Sequence, residues 1–175
     1  MFDEPLPKQA DLRKLASRQA HFSVHLDAAQ LPRFAGAIVD GQGVVDAELQ
    51  LGVNEQYVRY LQGTVSCTTR VVCQRCMEPM PITIHSDVLL GIVWDEAEAR
   101  NLPKAMDPLI VAEDELVDLN EVVEDELLLA MPFASYHDPD QCGGKQVYQS
   151  GEEQAPASAK KENPFSVLAQ LKPGK

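Results

Sequence analysis

The sequence predicts an α+β fold: an antiparallel β-meander sheet followed by a C-terminal acidic helix and a short tail helix. Three observations carry this reading. Apolar residues alternate with period two in several stretches between residues 21 and 94, short turns separate those stretches, and a helical period takes over only after Asp118. At 175 residues the chain suits one domain with tails rather than two domains. The expected boundaries are a loosely held leader over 1–20, one domain over 21–144, a flexible linker over 145–162 and a docking helix over 163–172.

Each element has its own signal. In HFSVHLD, from His21 to Asp27, Phe22, Val24 and Leu26 alternate with polar residues, and AQLPRFAGAIV over 29–39 suits a short helix. GVVDAELQLGV places Val45, Ala47, Leu49, Leu51 and Val53 on one face, with Asp46, Glu48 and Gln50 on the other. A strand over 57–73 has Leu61, Val65, Val71 and Cys73 in phase. Another over 81–94 has Ile82, Ile84, Val88, Leu90, Ile92 and Trp94 in phase. Short turns between them make an antiparallel meander the economical topology. DPLIVAEDELV offers one or two further short strands.

Asp118 then caps a helix, with Glu121 completing a capping-box-like start. Leu119, Val122, Val123, Leu127 and Ala130 form its apolar stripe, Glu121, Glu124 and Asp125 are expected to face away, and Pro132 ends it. The stretch KQVYQSGEEQAPASAKKE is too polar to pack and reads as the linker. In NPFSVLAQLK, Asn163 suits a cap and Pro164 the first helical position, while Phe165, Leu168 and Leu171 recur at threefold spacing. A helix this short is marginal alone, so this segment is expected to dock on a partner.

Charge narrows the function. The net charge is −12, and the excess lies downstream of Arg75. Between Asp95 and Glu126 twelve acids face only Arg100 and Lys104, a poor footprint for phosphates. A basic protein is the more natural partner, with Glu121, Glu124 and Asp125 as its binding residues. No run is long and apolar enough for a membrane helix. The N-terminal MFDEPLPKQA has acids where a secretory signal carries bases. A cytoplasmic protein with reduced thiols is therefore expected.

Four cysteines are present. Cys73-Gln74-Arg75-Cys76 falls at a hairpin tip and is followed by Met77-Glu78-Pro79-Met80-Pro81, which cannot start a helix of any length. A thioredoxin-type pair instead opens a helix whose N-terminus depresses the thiol pKa. A hairpin tip does suit half of a tetrahedral site. The other half is available in YHDPDQCGG, giving Cys73, Cys76, His137 and Cys142 as candidate ligands of a structural zinc. Cys67 is excluded, since six residues of strand place it about 20 Å from Cys73. His21, His25 and His85 have no partners in sequence and read as packed or solvated. There is no nucleophile-elbow serine and no phosphate loop, and GQG over 41–43 is a turn. No enzyme is expected.

CQRC, VEDELLLAMPFASYHDPDQC and NPFSVLAQLK occur here in the order seen in the YceD family of large ribosomal RNA subunit accumulation proteins, which the chain resembles over about residues 20–172. The resemblance implies a bacterial cytosolic protein, with plastid relatives, associated with accumulation of large-subunit (23S) ribosomal RNA. It supplies no catalytic residue. It extends to Cys73, Cys76, the helix end from Glu124 to Pro132, His137, Cys142, and Asn163 through Leu171. A cysteine-rich second half in distant relatives favours a metal site over a redox pair.

The expected role is support of large-subunit assembly through a ribosomal protein or assembly factor, with RNA affected indirectly. Two alternatives stand beside it. One is direct RNA binding through the N-terminal half, where Arg13, Lys14, Arg18 and Arg33 lie. The other is a zinc- or thiol-dependent enzyme, which would need an open coordination position or a low-pKa thiol.

Overall fold

The computed structural model describes residues 5–143. The expected linker over 145–162 and the expected helix over 163–172 lie outside them. In chain order the elements are α1 (Leu12–Ser17), β1 (His21–Asp27), α2 (Pro32–Ala37), β2 (Gly43–Val53), β3 (Arg59–Val72), β4 (Pro79–Val93), α3 (Glu96–Ala99), β5 (Asp107–Ile110) and α4 (Leu119–Ala130). The strands form one sheet in the order β1-β2-β3-β4-β5, so the α+β reading holds.

Alternation decides which face is buried. Val45, Ala47, Leu49 and Leu51 of β2, Leu61, Val65, Cys67 and Val71 of β3, and Ile84, Val88, Leu90 and Ile92 of β4 all enter the core. Burying the Val, Leu and Ile side chains among them contributes roughly 1.5–3 kcal/mol each. α1 packs against β2 and β3, and α4 against β3 and β4. The opposite face carries exposed Glu48, Gln50, Thr64, His85 and Asp87, the common arrangement of an antiparallel sheet solvated on one side. Val53 and Trp94, expected in phase with the core, lie partly exposed at strand ends.

Three expectations need correction. The meander is antiparallel only through β4, because β5 pairs parallel to it, Leu90 opposite Asp107 and Val93 opposite Ile110. Residues 94–106, with α3 among them, carry the chain back along the sheet, a connection long enough for parallel pairing. The span 29–39 is not one helix. It breaks into α2 and two 3-10 turns, and Asp40 takes a left-handed φ of 58°.

The leader, third, is packed rather than loose over its described residues, 5–20. Leu6, Ala10, Leu12 and Ala16 are buried, Asp11 caps α1 through the Lys14 backbone N–H, and Ala10 and Val117 exchange backbone hydrogen bonds of 2.9 and 3.0 Å. Arg13 stacks on the Trp94 ring and donates to the carbonyls of Val111 and Ala112. Six helical residues are too few to show a period, and their order comes from these distant partners. Among the described residues, no helix is long and apolar enough to cross a membrane.

The β2–β3 pairing depends on one glycine. A Cβ at Gly63 would lie 1.8 Å from the Glu48 carbonyl oxygen and 3.0 Å from the Leu49 Cα, both backbone atoms that cannot swing aside. Gly63→Ala should therefore lower stability by about 1–3 kcal/mol, the usual range for overpacking. Urea unfolding checks this, and an unchanged midpoint would show that the strands yield freely.

Candidate metal centre

The first half of the centre is the tip joining β3 to β4. Cys73 continues the inward phase of β3 and is buried. Its N–H donates to the Glu78 carbonyl at 2.9 Å, and its own carbonyl accepts from Met77 N–H at 2.9 Å. Met77 adopts a left-handed φ of 61°, which turns the chain within the tip and leaves Cys76 on the same side as Cys73.

The second half follows α4. Met131 leaves the helix in an extended conformation, Pro132 prevents its continuation, and the chain returns past the hairpin. Gln74 N–H donates to the Ser135 carbonyl at 2.9 Å, pinning the two segments together. Arg75 lies over the Tyr136 ring, 5.6 Å from its centroid. At Asp138-Pro139-Asp140-Gln141 the chain turns, the Asp138 carbonyl accepting from Gln141 and Cys142 at 2.9 and 3.0 Å. That turn presents Cys142 to Cys73.

All four expected ligands converge. Cys73 Sγ and Cys142 Sγ are 4.0 Å apart, Cys76 Sγ and His137 Nδ1 are 3.3 Å apart, and the four donor atoms lie within 4.8 Å of one another. Zinc bonds of about 2.3 Å to sulfur and 2.0 Å to nitrogen imply tetrahedral edges of about 3.5–3.8 Å. The donors thus already stand near the corners of a zinc site. A disulfide needs sulfurs about 2.05 Å apart, and all four cysteines are free thiols. Three sulfurs and one imidazole fit zinc in donor chemistry as well as in spacing.

Electrostatics within the cluster are divided. Burial opposes ionisation of Cys73, but N–H groups of Cys76, His137 and Arg75 and the Cys76 side chain outweigh it, lowering the thiol to about 5; the His137 N–H lies 3.4 Å from its sulfur. At Cys76 the Glu78 N–H favours the thiolate, yet burial and the neighbouring Cys73 and Cys142 prevail and raise its pKa. One thiolate forms readily and then resists the next. Cys67, apart on β3, is raised to about 11 by burial and by the nearby Asp46 charge, as befits a core cysteine. His21, His25 and His85 are exposed.

The acidic helix departs from expectation. Glu121 is exposed and Asp125 is exposed but paired with Arg33 at 2.7 Å. Glu124, expected to face away, is only 3% exposed. Its carboxylate accepts from Arg33 N–H at 2.6 Å, Phe34 N–H at 3.0 Å and Arg33 Nε at 2.8 Å. The start of α2 lies there, and Leu31 at its N-cap has no side chain able to cap it. Glu124 supplies the missing acceptor from α4, so it is an internal cap rather than a partner-binding residue. Asn163, Pro164, Phe165, Leu168 and Leu171 lie outside the described residues.

Comparison with known proteins agrees with the motifs. The family model for large ribosomal RNA subunit accumulation protein YceD matches residues 61–172. The large ribosomal RNA subunit accumulation protein YceD of Haemophilus influenzae is 34% identical over 172 residues, covering 95% of this chain and 96% of that protein. No solved structure matches the chain.

Proposed function

The chain belongs to the YceD family of large ribosomal RNA subunit accumulation proteins, and from that premise we propose that it is a non-catalytic cytoplasmic factor for large-subunit assembly. It holds a basic protein, either a ribosomal protein or another assembly factor, on its acidic surface. Large-subunit RNA accumulates because the particle is completed, and RNA left unassembled is degraded.

The charge between Asp95 and Glu126 carries this reading. Of the twelve acids there, Glu124 is buried, Asp118 and Glu126 are half-buried, and the other nine are exposed. A surface so charged repels phosphate and speeds encounter with a basic protein. Zinc at Cys73, Cys76, His137 and Cys142 is structural in this reading. Four protein ligands complete a tetrahedral shell and leave no open position for chemistry, while the bound ion ties the hairpin tip to the segment leaving α4.

The RNA-binding alternative loses support because three of its four cations, all but the exposed Arg18, are engaged within the chain. Arg33 grips Glu124 and Asp125, Lys14 pairs with Asp11, and Arg13 is committed to Trp94 and two carbonyls. Affinity purification from cells, with and without nuclease, separates the readings. Nuclease-resistant recovery of ribosomal proteins or assembly factors is expected, falling several-fold in a Glu113→Lys/Glu121→Lys variant. Recovery of RNA alone, lost on nuclease treatment, would overturn the proposal.

A further inference from the structure

A groove of about 420 Å³ runs between α4 and the β4–β5 edge of the sheet. Leu90, Leu109, Val122 and Leu129 supply its apolar surface. Leu90 and Val122 are nearly buried and form the floor, whereas Leu129 is 81% exposed at the mouth. Beyond the helix end, Phe133 is also fully exposed. Leu129 extends the apolar floor into one contiguous patch, and contiguous apolar patches rimmed by polar residues mark interaction sites.

The polar lining is of one sign. Asp87, Asp107, Asp125 and Glu126 surround the apolar floor, and no Lys, Arg or His lines it. Three of these acids have protein partners, Asp125 with Arg33, Glu126 with Ser86 and Asp87 with His85, which fixes them at the wall; Arg33 is the one permanent cation among those partners, so the negative excess remains. The charge argues against nucleic acid and against an anionic membrane surface, both of which Coulomb repulsion would exclude. A second copy of a chain with net charge −12 is disfavoured on the same ground. The apolar floor argues against a simple cation, which would leave Leu129 in water.

We infer that this groove is the docking site for a basic amphipathic segment of a protein partner. Apolar side chains of that segment, spaced to share one face, cover Leu90, Leu109, Val122 and Leu129, and flanking Lys or Arg side chains meet the carboxylates. The inference rests on the acidic-surface reading above and adds to it a location and the form of the ligand.

The test uses the full chain and an array of fifteen-residue peptides tiled across bacterial large-subunit ribosomal proteins and assembly factors, with residues 161–175 of this chain as one member. Retained peptides are expected to combine apolar residues at helical spacing with several Lys or Arg. Leu129→Asp, and separately Asp87→Lys/Asp107→Lys, should each weaken the best of them tenfold or more, while thermal unfolding confirms that each variant is folded. Retained peptides that ignore both variants would overturn the groove but leave the acidic-surface reading standing. An array with no retained peptide would count against both. If the chain's own 161–175 peptide alone is retained, and the groove variants weaken it, the partner is overturned in favour of an internal ligand.

Discussion

Replacing Glu124 by Ala is expected to lower the stability of the protein by about 3 kcal/mol, since hydrogen bonds to a charged acceptor contribute about 1.5–3 kcal/mol each and the loss leaves buried donors unpaired. The substitution strips acceptors from Arg33 N–H, Phe34 N–H and Arg33 Nε together. It also uncaps α2, which has no acceptor of its own at Leu31, and loss of a cap alone costs about 1 kcal/mol. For a domain of this size the midpoint of thermal unfolding should fall by roughly 10 °C. Glu124→Gln keeps the volume and one amide oxygen, so it should fall between Ala and wild type. Asp125→Ala removes only a solvent-exposed pair with Arg33 and should matter by less than about 1 kcal/mol. If Glu124→Ala unfolds at the same temperature as Glu121→Ala, the internal cap contributes nothing and Glu124 returns to the surface acids.

The contrast between Glu124 and the strands shows what kind of information local sequence carries. β2, β3 and β4 were legible to within a few residues because each strand's own alternation sorts its side chains, whatever its neighbours are. The direction of β5 was not, since four residues containing Pro108 carry no pairing sense of their own. α1 was hidden because its order depends on Val111 and Val117, residues roughly a hundred positions away. On α4, Glu124 lies on the flank of the apolar stripe, where helical periodicity assigns it to solvent. It is buried because α2, from 91 positions earlier in the chain, begins there. The groove was hidden for the same reason, being assembled from β4, β5 and α4. The clustering of the cysteines and histidine was legible because candidate metal ligands declare themselves by chemical type and by short spacings within each half. Which halves meet was then the one remaining unknown.

That meeting carries the second large effect. Protein purified without chelator should hold about one zinc per chain, and Cys76→Ser or Cys142→Ser should reduce the metal content to a tenth or less. Cys67→Ser should leave it unchanged, because Cys67 is buried on β3 away from the cluster. Structural zinc contributes about 10–16 kcal/mol of binding free energy in peptides that fold only around it. Here the sheet has a core of its own, so the metal's influence should be local. Removing it frees the donors that hold residues 131–143 against the hairpin tip, and leaves the backbone bond from Gln74 to Ser135, the Arg75–Tyr136 contact and the weak sulfur contacts among Cys73, Cys76, His137 and Cys142 across the joint. Amide hydrogen exchange should then accelerate at 131–143 and at 73–78 while the central strands β2 and β3 keep their protection. A uniform loss of protection would mean that the ion supports the whole domain. A folded protein with no metal, four freely titrating thiols and unchanged exchange at the joint would refute the zinc site.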